Sequence, residues 1–89
     1  MPKWLIIAEE TVQADGAEPQ RLVKVVEQLG TLEREKALVR LRETASRYRP
    51  DSLNGAPKSV CRNDEDSFLV VSTNGKWHAP CIIRLREMV

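Results

Sequence analysis

The residue types that could carry chemistry are few, and the clearest set is the His-x-x-Cys motif of His78 and Cys81. Imidazole and thiolate groups are ligands that zinc prefers, and Cys61 could supply a third. If residues 77–85 form a strand, however, side chains three positions apart point to opposite faces. The same geometry separates a Cys–His nucleophile pair. The spacing therefore favours a surface histidine and a core cysteine over a metal site, and we expect both cysteines to be reduced thiols.

Acidic residues form two short clusters, and neither has the arrangement that a reaction or a bound cation requires. Glu9 and Glu10 are adjacent, so on a strand their carboxylates lie on opposite faces and cannot act as an acid/base pair. Residues 64–66, Asp-Glu-Asp, lack the glycine and the distant bidentate glutamate of a calcium loop and favour a solvated turn. The sequence also has no phosphate loop or nucleophile elbow. We therefore expect a non-enzymatic protein with no catalytic residue, metal or cofactor.

Arginine is the remaining source of chemistry, because guanidinium groups can bind the phosphates of nucleic acid. Six candidates lie on the predicted helix and last strand: Arg40, Arg42, Arg47, Arg49, Arg84 and Arg86. Glu33, Glu35 and Glu43 interleave with them on the helix, and the net charge of the chain is only +1. Such a mixture is typical of a solvated helix face. A nucleic-acid-binding or antitoxin-like regulator that uses these arginines is therefore the alternative function, not the favoured one.

The element that must position many of these groups is a helix within residues 30–50. Thr31 is predicted as its N-cap, and Pro50 ends it because the residue before a proline is disfavoured in the α region. At about 100° per residue, one narrow face collects the apolar residues of this segment. These residues are Ala37, Leu38, Leu41, Ala45 and Tyr48. The helix should therefore pack on an apolar surface through a stripe centred on Leu41.

The segment 21–29 is ambiguous between helix and strand. Its apolar residues have the i, i+3, i+4, i+7 spacing of a helix, but its valines prefer strands. A helix here would also run into the next one with no connection between them, so we favour a strand. The other segments are strands at 4–12 and 59–62, loops at 13–20 and 51–58, and a charged turn at 63–66.

Asn74-Gly75, a preferred two-residue hairpin turn, joins the last two predicted strands. With this turn Val70 pairs with Ala79 and Phe68 with Cys81, and directly opposed residues share a face. The core face would carry Phe68, Val70, Trp77, Ala79, Cys81, Ile83 and Leu85, and the outer face Leu69, Val71, His78, Pro80, Ile82, Arg84 and Arg86. Because Pro80 has no N–H to donate, the last strand is predicted to lie at a sheet edge or to be bulged there.

The predicted fold class is α+β, an antiparallel sheet with one amphipathic helix on one face, in the order ββαβββ. It forms one domain over residues 1–89. One helix covers one face, which leaves an apolar patch with an arginine rim, typical of a protein–protein contact. The candidate partner contacts are Leu69, Val71, Ile82, Arg84 and Arg86. We predict a protein-interaction module or accessory subunit, for which self-association as a homodimer is one form.

Two other interpretations stay open. In the first, the N-terminal segment with Trp4, Leu5 and Ile7 folds over the outer face and covers it. In the second, a deep pocket with convergent polar groups makes the protein a small enzyme or ligand carrier.

The longest apolar run near the N-terminus, residues 4–8, is too short for a signal peptide or a membrane span. Two cysteines in 89 residues are not a disulfide framework, so we expect a soluble, cytoplasmic protein.

The layout of the chain resembles a group of small actinobacterial proteins of uncharacterised activity. The similarity is carried by W-L-I-I-A-E-E-T at 4–11, R-L-V-K-V-V-E at 21–27 and G-T-L-E-R-E-K-A-L at 30–38, and further by Y-R-P, S-F-L-V-V and the closing R-L-R-E-M-V. That group tends to have an aromatic, histidine-rich start to the last strand, where this chain has W-H-A-P-C. The resemblance implies a strand over residues 21–29 and implies no mechanism.

Overall fold

The structure is a computed structural model that describes residues 2–12, 18–50, 53, 55–73 and 79–89. Its elements, in chain order, are β1 (Lys3–Val12), β2 (Gln20–Thr31), α1 (Arg34–Arg47), β3 (Lys58–Asp64), β4 (Ser67–Ser72) and β5 (Cys81–Met88). The five strands form one antiparallel sheet in the order β2-β1-β5-β4-β3. The predicted α+β class and the order ββαβββ are confirmed, and so is the strand over residues 21–29.

Strand β1 alternates between a buried inner face and a half-buried outer face, as a strand covered on one side should. Trp4, Ile6 and Ala8 point into the core, and the indole Nε1 of Trp4 donates to the carbonyl of Leu32 at 2.9 Å. Because β1 pairs with β2 on one side and β5 on the other, it belongs to the sheet. The interpretation in which this segment folds over the outer face is therefore wrong.

Helix α1 begins two residues later than predicted, at Arg34. Thr31 is not its N-cap, because β2 continues through Thr31, which lies opposite Lys3. The residue at the N-cap position is Glu33, with an extended backbone (φ −66°, ψ 146°) and no side-chain capping bond. The pairing of β2 with β1 thus decides where the chain can turn into the helix, and a local capping preference does not override it.

The helix ends at Arg47, and Tyr48 has already left the α region (φ −65°, ψ 134°) two residues before Pro50. Its buried side holds Ala37, Leu41, Thr44 and Ala45, and it packs chiefly over β4 and β5. The predicted stripe is confirmed, with Leu38 and Tyr48 only partly buried at its margins.

Strands β4 and β5 pair in a register two residues away from the predicted one. Val70 lies opposite Cys81 and Phe68 opposite Ile83, so the predicted pairs Val70–Ala79 and Phe68–Cys81 are wrong. A shift of two preserves the faces, because side chains alternate with a period of two. The inner face therefore still carries Phe68, Val70, Cys81, Ile83 and Leu85, all buried. The predicted turn at Asn74-Gly75, together with Trp77 and His78, lies outside the described residues.

Strand β5 lies at the centre of the sheet, between β1 and β4, and the prediction of an edge strand is wrong. Pro80 precedes the first residue of β5, Cys81, so its missing N–H removes no bond from either ladder. A proline directly before a strand is therefore compatible with a central position of that strand in the sheet.

Both cysteines are free; Cys81 is fully buried, as predicted, and Cys61 is exposed on β3. Burial, helped by the nearby Glu10 carboxylate, raises the pKa of the Cys81 thiol to about 12. Thiolate is the reactive form, so this thiol should be inert in the folded protein.

We expect an aromatic disulfide reagent at pH 8 to modify Cys61 rapidly and Cys81 only at the rate at which the fold opens. The measurement is the absorbance of the released thiolate over time, without and with denaturant. The variant Cys61→Ser should lose the rapid phase. Two thiols that react equally fast in the native protein would contradict the burial of Cys81.

Candidate protein interface on the outer sheet face

The sheet has one face, opposite α1, that no element covers in the part of the chain that the structure describes. We call this the outer face. The molecule measures 45 × 24 × 18 Å, and its smallest dimension corresponds to one sheet and one helix layer. An α+β domain of two layers leaves the far side of its sheet in contact with water. The composition of that side therefore decides whether it is a solvated surface or a contact surface.

The outer face is apolar over most of its width. Half-buried residues on the three middle strands are Leu5, Ile7, Leu69, Val71 and Ile82. Two more valines on β2 extend the patch, with Val23 62% and Val25 58% exposed. The register places Ile82 opposite Leu69 in one ladder and opposite Glu9 in the other, and Ile7 opposite Val25 and Arg84, so charged residues lie between the apolar residues of β1 and β5. Three of these residues were predicted contacts, and Leu5 and Ile7 join them because β1 is a sheet strand.

Arg84 lies at the middle of the outer face, and the prediction that it rims the patch is wrong. Strand β5 is central, so Arg84 sits between Ile7 on β1 and Ser67 on β4. Its side chain is only 19% exposed; Nε is 3.2 Å from Oε2 of Glu9, and Nη1 is 3.7 Å from Oδ2 of Asp64. The Nε–H is not aligned for a hydrogen bond, so its contact with Glu9 is an ion pair.

Two further arginines of this face form ion pairs. Arg21 of β2 donates a hydrogen bond to the same Glu9 oxygen. Arg86, which is more exposed than Arg84, lies 3.5 Å from a carboxylate oxygen of Asp66. Three arginines thus face three carboxylates within one surface: Arg21, Arg84 and Arg86 with Glu9, Asp64 and Asp66. The middle of the outer face is therefore largely apolar with paired charges, and Lys3 adds an exposed cation at the end of β1.

The Asp64 carboxylate is fixed by the turn between β3 and β4. Its Oδ1 accepts a hydrogen bond from the Ser67 hydroxyl at 2.6 Å and from the Asp66 backbone N–H at 3.1 Å. These bonds, the Ser67 bond first, lower the pKa of Asp64. The predicted turn at 63–66 therefore holds an anion beside Arg84. Among the described residues, no three His, Cys, Asp or Glu side chains are grouped so that they could hold a metal ion.

Partial burial raises the pKa of the Glu9 carboxyl, but the hydrogen bond from Arg21 and the ion pair with Arg84 lower it more, so it lies below the ordinary value of 4.5. A carboxyl with a depressed pKa in the folded state stabilises the fold above its unfolded pKa. That contribution is lost as the pH falls through the folded-state pKa.

We therefore expect Glu9→Gln to lower the free energy of unfolding at pH 7 by about 1–2 kcal/mol, the scale of a charge-assisted hydrogen bond. The loss should shrink as the pH falls below about 4.5, because the wild-type carboxyl then becomes neutral as well. Urea unfolding of the wild type and the variant at several pH values measures this loss. Glu18→Gln, an exposed neutralisation outside this network, is the control. A loss that is the same at pH 7 and at pH 3.5 would contradict the assignment.

A polar cluster that the sequence did not reveal lies on the opposite, inner face. Glu10 is 1% exposed, its Oε2 accepts a hydrogen bond from the Tyr48 hydroxyl at 2.7 Å, and Lys24 Nζ lies 3.4 Å away. As predicted, Glu9 and Glu10 point to opposite faces. The missed signal was the position of Glu10 in the buried alternation of β1, after Trp4, Ile6 and Ala8. The cluster ties β1, β2 and the end of the helix together.

Comparison of the chain with protein-family models, with curated proteins and with solved structures gave no match. The resemblance to small actinobacterial proteins therefore stays a prediction. Within the described ranges, no helix has the length and apolar character needed to cross a membrane.

Proposed function

We propose that this protein is a non-enzymatic protein-interaction module that functions as a homodimer joined through its outer faces. The observation that carries this proposal is the largely apolar outer face of a five-stranded sheet, with no covering layer among the described residues. Large exposed apolar patches on soluble proteins typically mark contact sites. Two such sheets packed face to face, about 10 Å apart, would form a sandwich with a helix on each outer side.

The charge pattern favours a second copy as the partner. A two-fold dimer contact brings the same patch together with itself, so a patch with net charge would repel its own copy. On the outer face, the three arginines are balanced by three carboxylates of the same chain. Apart from Lys3 at one end, the middle of the face needs no complementary charge from a partner, and another outer face meets this condition.

The size of the face is also sufficient. The two longer dimensions of the molecule, 45 and 24 Å, enclose a face large enough for the roughly 800 Å² per partner of a standard interface. Fully burying a Val, Leu or Ile side chain contributes about 1.5–3 kcal/mol, and less for residues already half-buried. Several such residues are needed to offset the entropy lost on association, and the outer face has seven.

Sedimentation equilibrium over a wide concentration range tests the proposal. We expect the wild type to form a dimer, and the double variant Val71→Thr/Ile82→Thr to dissociate at least about tenfold more readily, or by 1.4 kcal/mol. Circular dichroism should show unchanged helix content, because neither residue contacts the core side of the sheet. The control is Val39→Thr on the solvent side of α1, where the valine is 57% exposed.

Two results would overturn the proposal. The first is a wild type that remains monomeric at the highest concentration measured. The second is a double variant that dimerises as tightly as the wild type, which would place the contact elsewhere on the molecule.

Nucleic-acid binding is the second candidate, and one observation favours it: residues 34–49 hold six basic and two acidic side chains on the side opposite the outer face. Two of those cations are already paired, Arg34 with Glu65 and Arg40 with Glu27. This candidate predicts that a fluorescein-labelled DNA duplex binds with an affinity that falls steeply between about 50 and 200 mM salt. The variant Arg42→Glu/Arg47→Glu should then abolish binding without changing the sedimentation of the protein.

A further inference from the structure

A groove runs between the edge strand β2 and the N-terminal half of α1, on the inner side of the sheet. It exists because α1 packs chiefly over β4 and β5, whereas it meets β2 through side-chain bonds from Arg40 and Thr44 to Glu27. Its volume is about 510 Å³, within the range of binding pockets. Apolar lining comes from Leu29, Leu32 and Val39, and polar lining from Glu27, Lys36 and Arg40.

One wall of this groove is a sheet edge. Strand β2 pairs with β1 on one side only, and no other described strand lies beside it. Along such an edge, alternate backbone N–H and C=O groups point outward and can pair with an added strand. Apolar side chains are also exposed on both elements: Val39 in the groove wall is 57% exposed, and Leu22, farther along β2 and outside the groove, is 37% exposed. Neither side chain contributes to the core or to the outer face.

The groove carries a net positive charge. Glu27 accepts bonds from Arg40 and from the Thr44 hydroxyl, the latter at 3.1 Å, so its carboxylate is already satisfied within the chain. Lys36 has no ion-pair partner among the described residues and stands at the wall of the groove. A ligand with an acidic group would therefore complement the one cation that remains.

We propose that this groove binds an extended segment of a partner protein, which adds to β2 as a further strand. An apolar side chain of that segment fills the space among Leu29, Leu32 and Val39, and an acidic residue contacts Lys36. This is the β-strand-addition mode of peptide recognition, in which backbone bonds give affinity and side-chain pockets give specificity. A second copy of the chain fits less well, because it would bring a second Lys36 in place of an acid. The inference concerns a different surface and does not depend on the proposed dimer.

The probe is a fluorescein-labelled decapeptide, taken from a random-peptide library by selection on the full chain and followed by fluorescence anisotropy. We expect the selected sequences to combine alternate apolar residues with an acid. Lys36→Glu should weaken binding at least tenfold. Arg42→Glu, which makes the same charge change on the same helix outside the groove, should leave binding within about twofold. An added strand pairs with β2 through every second residue. N-methylation of the odd-numbered or of the even-numbered peptide amides gives two phases of methylation. One phase should abolish binding and the other should spare it.

Three outcomes would overturn this inference: no enriched peptide binds, Lys36→Glu and Arg42→Glu weaken binding equally, or both phases of N-methylation have the same effect. The Val71→Thr/Ile82→Thr variant should bind the peptide as the wild type does. A loss of binding in that variant would place the peptide on the outer face. Sedimentation tests only the proposed dimer, and peptide binding tests only the proposed groove. The failure of one proposal can therefore be told apart from the failure of the other.

Discussion

Replacing Leu41 by alanine is expected to lower the free energy of unfolding by about 2–5 kcal/mol, the usual range for a buried leucine. Leu41 is fully buried at the centre of the helix stripe, in the same cluster as Ile6, Val70 and Ile83. Removing its branched end loses the transfer free energy of the buried atoms and leaves a cavity that the rigid sheet below cannot fill. Single domains have total stabilities of about 5–15 kcal/mol, so this change alone should bring the protein close to unfolding.

Urea unfolding followed by circular dichroism gives the measurement. Val39→Ala is the matched control, because Val39 lies on the same helix but is 57% exposed, and its loss should stay within about 0.5 kcal/mol. A loss below about 1 kcal/mol for Leu41→Ala would mean that the helix buries a different face. The result would then remove the basis for treating the opposite side of the sheet as the outer face.

The second large effect is expected at Lys24. The Glu10 side chain is completely buried, with the Tyr48 hydroxyl at 2.7 Å and the Lys24 ammonium at 3.4 Å. Lys24→Met would remove the cation and leave the carboxylate in place. Removing one partner of a fully buried ion pair costs about 3–5 kcal/mol. Since the Lys24 side chain is 36% exposed, we expect a smaller loss, about 2–3 kcal/mol.

The paired variants make this prediction specific. Glu10→Met should cost less than Lys24→Met, because the remaining ammonium can reach water whereas a remaining carboxylate cannot. Lys24→Met/Glu10→Met should be more stable than Lys24→Met alone, because no buried charge is left without its partner. Urea unfolding of the three variants at pH 7 measures these losses of unfolding free energy. A double variant whose loss equals the sum of the two single losses would show that the two groups do not interact.

Much of the fold could be predicted because its signals are local and redundant. The stripe centred on Leu41 fixed the buried side of α1, and the alternation around Val70 and Ile83 fixed the inner faces of β4 and β5. The register between those two strands could not be predicted in the same way. The burial pattern determines only whether a residue faces in or out. Two registers that differ by two residues therefore fit the burial pattern equally well. The pairing of Val70 with Cys81 shows which of these registers the protein adopts.

Long-range pairings set the remaining features, and no local pattern reports them. Thr31 has the chemistry of an N-cap, but its pairing with Lys3 keeps it in a strand. Arg84 was predicted at the rim of the apolar patch, whereas the pairing of β5 with both β1 and β4 places it at the centre. The bond between Tyr48 and Glu10 joins residues 38 positions apart and has no sequence signature. The candidate interface was thus predicted in composition but not in layout.

The strand order β2-β1-β5-β4-β3 has a consequence for biosynthesis. The ladders β1–β2 and β3–β4 join neighbouring segments, whereas the β1–β5 ladder, in which Lys3 lies opposite Met88, joins the most distant ones. Contacts of high sequence separation form slowly because a long loop must close first. While β5 is still inside the ribosome, both hairpins have an open inner edge and the apolar face of α1 lacks one of the strands on which it packs. The nascent chain should therefore depend on protection from aggregation until β5 emerges, and then complete its sheet from the middle.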